Sequence, residues 1–399
     1  MTSAALGGRS SVAATRTLML GLVVAVPLAV APGTSPTRSY PRYVLVVAGA
    51  VVVLVVVGAG VVLGGHRPAW RNGLHWPVLG LVGWTALCAP FADDVGTAVG
   101  GYPGSYNGLS TTVSLAVVFF AAASLPARDG RRLLAALWFG AGGAVTLYGL
   151  VQLADRVVDP GGRGWDLVPP AIAPWSISST LGNPNHLAGF AAMVLPVGAA
   201  LFRHELLPVG RRVLPWMVGA GGVLLATAVA LGAIGVAKRD LGSSLDLGAG
   251  STLDLRVQLW TVAGSMTAAH PVVGVGPDGF ASAFPDHVTD EFAQRFGVSA
   301  VATDAHNLFA SAAANLGLPG LAAVLLFVGA AGRQPARAWR RRTAAARGGE
   351  AAAARADRLL LGGVAAGLVG YLVQASFNTQ PVSLTFVAWT LLAVACILS

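Results

Sequence analysis

The chain has 399 residues, 55% of them hydrophobic and only 11% charged, against about 25% charged in ordinary soluble domains. A chain this apolar cannot cover a water-facing surface, so a soluble globular fold is excluded. Its net charge of +9 would suit nucleic acid, but the bases lie between apolar segments in the manner of a membrane protein, and no nucleic-acid partner is expected.

Ten apolar segments read as spans, at about 17–33, 43–64, 75–91, 109–126, 133–153, 180–202, 213–235, 308–332, 359–376 and 381–399. None holds an Asp, Glu, Lys or Arg, and most approach the ~20 residues that cross ~30 Å of hydrocarbon. A charge at the centre of any of them would cost about 2.5–3.5 kcal/mol on insertion. The expected fold is all-α: a polytopic integral membrane helical bundle of about ten transmembrane helices, one domain over 1–399. The first segment is expected to be retained, since Pro32 directly follows the signal-peptidase-like Ala29-Val30-Ala31 and opposes cleavage. Cys88 and Cys396 both lie in apolar segments and read as small buried hydrophobes.

Placing both termini in the cytoplasm puts 1–16, 65–74, 127–132, 203–212 and 333–358 inside. Those five stretches hold 18 of the 26 Lys and Arg but only four of the 17 acids. This is the positive-inside pattern, and it predicts a multi-pass protein of the cytoplasmic membrane, with a large extracytoplasmic loop at about 236–305. The basic loop 333–358 is expected to meet membrane lipids through anionic headgroups.

Three outside loops carry the polar chemistry. Residues 93–108 contain GGYPGSYNG, and 155–179 lead into Asn183-Pro184-Asn185-His186 at the start of a span. The third loop holds RVQLW (256–260), HPVVGVGPDGF (270–280) and Asp304-Ala305-His306-Asn307. Residues 252–269 read as an amphipathic surface helix, with Leu253, Val257, Trp260 and 262–266 on its apolar side and Arg256 one turn before Trp260. PVVGVG reads as a tight turn back from that helix, since no strand–turn–helix context supports a dinucleotide site.

Most of these residues have two readings. His306 is either a polar residue at a helix end or a general base with a pKa near neutrality, with Asp304 placed to orient it. Arg256 is either a snorkelling interface arginine or a guanidinium fork for phosphate oxygens. Asn183-Pro184-Asn185 caps a helix, or its free N–H groups favour an anion. Paired acids at glycosidase-like positions, a Gly-x-Ser-x-Gly elbow, a Walker motif and a metal triad are all missing from the sequence, so neither a cofactor nor a metal is expected.

Taken in order, GGYPGSYNGL, LYGLVQ, STLGNPNHLAGF, RVQLW, HPVVGVGPDGF and DAHNLFASAAANLGLPG resemble the O-antigen ligase and polymerase superfamily over about residues 80–390. The resemblance implies transfer of a glycan from a polyprenyl diphosphate-linked donor to a glycan, lipid or protein acceptor, outside the cytoplasmic membrane. It implies His306 as the base on the acceptor and Arg256 as the arginine holding the diphosphate, with Asn183, Asn185, Asn307 and Trp260 beside the substrate. The chain departs from the family in one interval. Relatives carry a second arginine, in a Ser-Arg-Gly motif, on a span between the Asn-Pro-Asn helix and the large loop. Here that interval holds one span, 213–235, without the motif, followed by Lys238 and Arg239. A glycan polymerase of the same fold, a catalytically inactive relative and a solute transporter are the alternatives. A transporter should bury ionisable residues at mid-membrane, and none of the ten spans has an acid or a base.

Overall fold

The computed structural model describes residues 3–30, 39–64, 72–158, 178–203, 252–297, 300–347 and 351–399, and every element among them is helical. The expected span 213–235, Lys238 and Arg239, most of the 155–179 loop and the start of the long loop lie outside the described residues. The elements before the Asn-Pro-Asn motif are α1 (Ser3–Leu28), α2 (Ser39–Gly64), α3 (His75–Cys88), α4 (Val95–Gly100), α5 (Leu109–Ala123), α6 (Ala127–Ala135) and α7 (Gly143–Val158). A π-helical stretch, Ala136–Gly142, joins α6 to α7. Then come α8 (Pro184–Leu201), α9 (Thr252–Ala269), α10 (Phe280–His287), α11 (Asp290–Phe296), α12 (Leu308–Arg347), α13 (Ala351–Phe377) and α14 (Val382–Ile397).

Among the described residues, six helices are long and apolar enough to cross a membrane: Ser10–Leu28, Ser39–Leu63, Ala127–Ala154, Pro184–Leu201, Leu308–Ala344 and Ala354–Phe377. The apolar helices Leu109–Ala123 and Val382–Ile397 are shorter. This is a polytopic helical membrane protein. Helix α14 is buried on every side, from Val382 through Ala395, so it is a central post with no lipid-facing stripe. Lipid is as apolar as the side chains, so close van der Waals approach holds such a bundle together. Gly367 shows how: a Cβ there would lie 2.5 Å from the Met193 carbonyl oxygen, which brings α13 against the backbone of α8.

Polar contacts gather the loops into two sets. Asp357, buried, takes Arg131 at 2.7 Å and Arg342 at 3.4 Å, while buried Asp129 takes Arg132 at 2.8 Å and Arg16 at 3.8 Å. These pairs join the three described stretches richest in expected cytoplasmic arginines. Stretches of the other set meet elsewhere: Thr180 Oγ1 donates to the Pro27 carbonyl at 3.0 Å, and Asn107 Nδ2 to the Gln380 carbonyl at 3.0 Å.

Helix α12 differs from the expected span 308–332 in two ways. It continues to Arg347, so most of the basic stretch expected as a loop is helix. It is also broken at Gly317, where φ is 69° and ψ −175°. The break frees backbone groups that cannot stay unpaired in a membrane, and the 270–280 loop supplies their partners. Val275 N–H donates to the Ala314 carbonyl at 2.9 Å, and Leu318 N–H to the Pro271 carbonyl at 2.8 Å. The indole of Trp84 donates to the Leu316 carbonyl at 2.9 Å. The backbones touch here: a Cβ on Gly317 would sit 2.2 Å from the Val272 carbonyl oxygen.

Helices α9 to α11 carry a small core of their own, including Leu259, Val262, Met266, Phe280, Phe284 and Phe292. Residues 252–269 form the expected helix, and Val262, Ala263 and Met266 of its expected apolar side are buried together with Leu259, whereas Val257 is 46% exposed. The helix packs on α12.

Candidate active site

The site is built where α9, α12 and α8 converge on the short turn between α13 and α14. Three residues beyond its buried stripe, α9 presents Arg256. Its Nε donates to the Phe377 carbonyl at 2.9 Å and one terminal nitrogen to Asn378 Oδ1 at 3.4 Å. These bonds engage two of the five guanidinium donors. Arg256 is therefore docked on the 377–380 turn.

His306 stands just before α12 with a left-handed φ of 51°, a conformation uncommon outside glycine. Asp304, 6% exposed, holds it there. One carboxylate oxygen accepts the His306 N–H at 2.6 Å and lies 3.2 Å from Nδ1. Burial lowers the imidazole pKa, but the hydrogen bonds and negative charge of Asp304 outweigh it, and the net displacement is upward from the ordinary value. The charge of Arg256 reaches the ring and opposes the rise, so guanidinium and imidazole share one electrostatic neighbourhood. With Nδ1 turned to Asp304, Nε2 is the nitrogen left for a substrate proton.

The four remaining expected residues are placed differently. Asn307 caps α12, its Oδ1 accepting from Phe309 N–H at 2.9 Å and Ala310 N–H at 3.1 Å. Asn183 caps α8 in the same way, accepting from Asn185 N–H at 2.8 Å. Asn183 and Asn185 are exposed. Trp260 packs against the small outer core, with its indole nitrogen buried and lacking a hydrogen-bond partner among the described residues.

Three groups in this region escape a sequence reading. His186, on the first turn of α8, lies 2.9 Å from the Thr379 hydroxyl and within electrostatic reach of Asp304 and His306. The 377–380 turn is the second, because it receives Arg256, His186 and Asn107 together. Its only sequence signal is Asn378-Thr379-Gln380, a polar interruption between two apolar spans. The third is Asp278, 5% exposed, which accepts from Ser105 Oγ at 2.6 Å, Tyr102 N–H at 2.7 Å and Asn107 N–H at 2.9 Å. Burial pushes its pKa up to about 7 against these three bonds, and the charge of Asp304 adds to the rise.

Beside these residues opens a cavity of about 340 Å³. Asn107, Asp278, Asp304 and Ser311 line its polar part, and Leu115, Phe327, Leu368 and Trp389 its apolar part. It follows α12 from Leu308 to Pro335, on both sides of the break at Gly317. Among the described residues, no three His, Cys, Asp or Glu side chains are grouped to hold a metal ion.

Residues 186–325 match the O-antigen ligase family. Comparison with curated proteins finds no match. The matched stretch contains His186, Arg256, Asp278, Asp304 and His306, so most of the polar cluster falls inside it. The 101–108 loop and the 377–380 turn lie beyond it, and only the fold brings them to the cluster. The chain is thus a multi-pass membrane protein with a segment similar to the O-antigen ligases.

Proposed function

We propose that the chain transfers a glycan from a polyprenyl diphosphate carrier to an acceptor hydroxyl at the outer face of the cytoplasmic membrane. The observation that carries this reading is the oriented Asp304–His306 pair, in electrostatic reach of Arg256, with Asp304 lining the polar part of a largely apolar cavity. A lipid-linked anionic sugar donor has the same division: a long apolar tail, a diphosphate and a polar glycan.

In this scheme the acceptor hydroxyl oxygen bonds to the anomeric carbon of the donor glycan. The bond from that carbon to the diphosphate oxygen breaks, and its electron pair leaves with the polyprenyl diphosphate. His306 Nε2 takes the hydroxyl proton, and Asp304 stabilises the imidazolium that results. Negative charge grows on the departing diphosphate, where a fixed guanidinium stabilises the transition state more than the ground state. Arg256 is that group. The same steps serve a ligase and a polymerase, which differ in the acceptor.

The test is glycan transfer by the purified protein in lipid nanodiscs from a polyprenyl diphosphate-linked donor, run beside His306→Ala. Loss of transfer with retained binding of the donor lipid is the expected result. Sustained transfer by His306→Ala would remove it as the base, and no transfer by the parent to any envelope acceptor would favour a catalytically inactive relative.

A further inference from the structure

Arg256 rests on main-chain and side-chain groups of a turn far away in sequence, and that turn is itself held from one side. Asn107 Nδ2 donates to the Gln380 carbonyl at 3.0 Å, and Gln380 Nε2 donates to the carbonyls of Asn378 at 2.6 Å and Ala375 at 3.1 Å. The Asn107 backbone is held in turn by Asp278, through the 2.9 Å bond from its N–H. Hydrogen bonds thus run without a gap from Asp278 through Asn107, Gln380 and Asn378 to the guanidinium, crossing four segments of chain.

Asp278 is an expensive residue to keep here. It is buried, it has a left-handed φ of 56°, and it gathers three donors from the 102–107 loop, all on one oxygen. A buried carboxylate carries a desolvation cost, and a left-handed aspartate a backbone one. Neither is needed merely to close a turn between α9 and α10. The three donors belong to Tyr102, Ser105 and Asn107, within the same GGYPGSYNG stretch that carries the Asn107 amide to Gln380.

We propose that Asp278 is a positioning residue for Arg256: by clasping the 102–107 loop it seats Asn107 against the 377–380 turn on which the guanidinium lies. The role of Arg256 as diphosphate holder is taken from the proposed function, but the clasp itself is independent of any ligand. When the clasp loosens, the turn gains freedom, and the fork loses the fixed direction that bidentate contact requires.

Two readouts test this, one with ligand and one without. The variants are Asp278→Asn, which keeps the shape and removes the charge that strengthens all three bonds, and Asn107→Ala, which cuts the link to Gln380. In the first arm, Arg256 of the purified full-length protein is modified with phenylglyoxal and followed by peptide mass spectrometry. Both variants should speed its modification about threefold or more, while Arg295, held by Asp254 and Glu291, keeps its rate. In the second arm, binding of a polyprenyl diphosphate lacking any glycan is measured in nanodiscs. Asp278→Asn should weaken it about tenfold in the parent and not further in an Arg256→Ala background, the non-additivity expected of coupled residues.

Unchanged Arg256 reactivity in folded Asp278→Asn and Asn107→Ala proteins would overturn the inference, as would additive losses in the double mutant. If the parent does not bind the diphosphate lipid, the donor-site reading falls. The labelling arm then still decides whether Asp278 positions Arg256.

Discussion

An imidazole serves as a base only when it is both oriented and basic enough, and at His306 one neighbour supplies both. Asp304 bonds the His306 N–H and faces Nδ1, and its hydrogen bonds and charge carry the pKa above the ordinary value despite burial. A base acts deprotonated, so transfer should fall as pH drops through that raised pKa. Asp304→Asn removes the raising influence, so the acid limb of the pH–rate profile should move to lower pH while the plateau rate falls at least tenfold. A profile that keeps its position would dissociate His306 from the titration. At Arg256 the expectation concerns shape more than charge. Lysine offers a point charge where the arginine fork reaches the Phe377 carbonyl and Asn378 together. Arg256→Lys should therefore bind the polyprenyl diphosphate roughly tenfold more weakly, a loss of about 1.4 kcal/mol. Undiminished binding would return Arg256 to the snorkelling reading. These two residues were legible in the sequence because a His and an Arg in a polar loop between spans are conspicuous. Asp278 and His186 were not, since nothing local marks an aspartate after Gly-Pro, or a histidine behind a helix cap, as facing partners 170 or more positions away.

At the scale of elements, the spans were readable because charge is expensive in hydrocarbon, and its absence marks them without any knowledge of packing. The break in α12 has a local signal, Pro319 two residues past Gly317, but its partners have none: the approach of the 270–280 loop is what makes an opening there tolerable. In helix α9 the buried Val262, Ala263 and Met266 were legible from their apolar spacing, whereas the burial of Leu259 and the exposure of Val257 depend on how α10 to α12 pack against it. The break yields a sharp prediction. Gly317→Ala must adopt a φ of 69° and place a methyl group 2.2 Å from the Val272 carbonyl oxygen. It should destabilise by about 2–4 kcal/mol, combining left-handed strain with overpacking. Gly264, on the exposed side of α9 with open space around it, is the control. Gly264→Ala should hold or gain up to about 1 kcal/mol from helix propensity. A detergent-solubilised melt followed by size-exclusion chromatography ranks the two. Equal midpoints would show that the α12 break does not depend on the close approach.

For the whole molecule, the two sets of loops carry different chemistry. One joins arginine-rich stretches through the buried carboxylates Asp129 and Asp357. The other holds the Asp304–His306 pair, the Asp278 clasp and the turn that receives Arg256. The positive-inside bias, 18 bases against eight, leads us to propose that the first set faces the cytoplasm. An extracytoplasmic acceptor then requires the second set to face outward. Exposed positions on each allow a direct test: Ser282 on α10 and Ala344 near the end of α12. In a background with Cys88 and Cys396 replaced by alanine, Ser282→Cys should react with an impermeant maleimide on intact cells. Ala344→Cys should react only after the membrane is opened. The opposite result would place the polar cluster in the cytoplasm. The donor would then have to be used before its glycan crossed the membrane, and the Arg256–His306 chemistry would need a cytoplasmic acceptor.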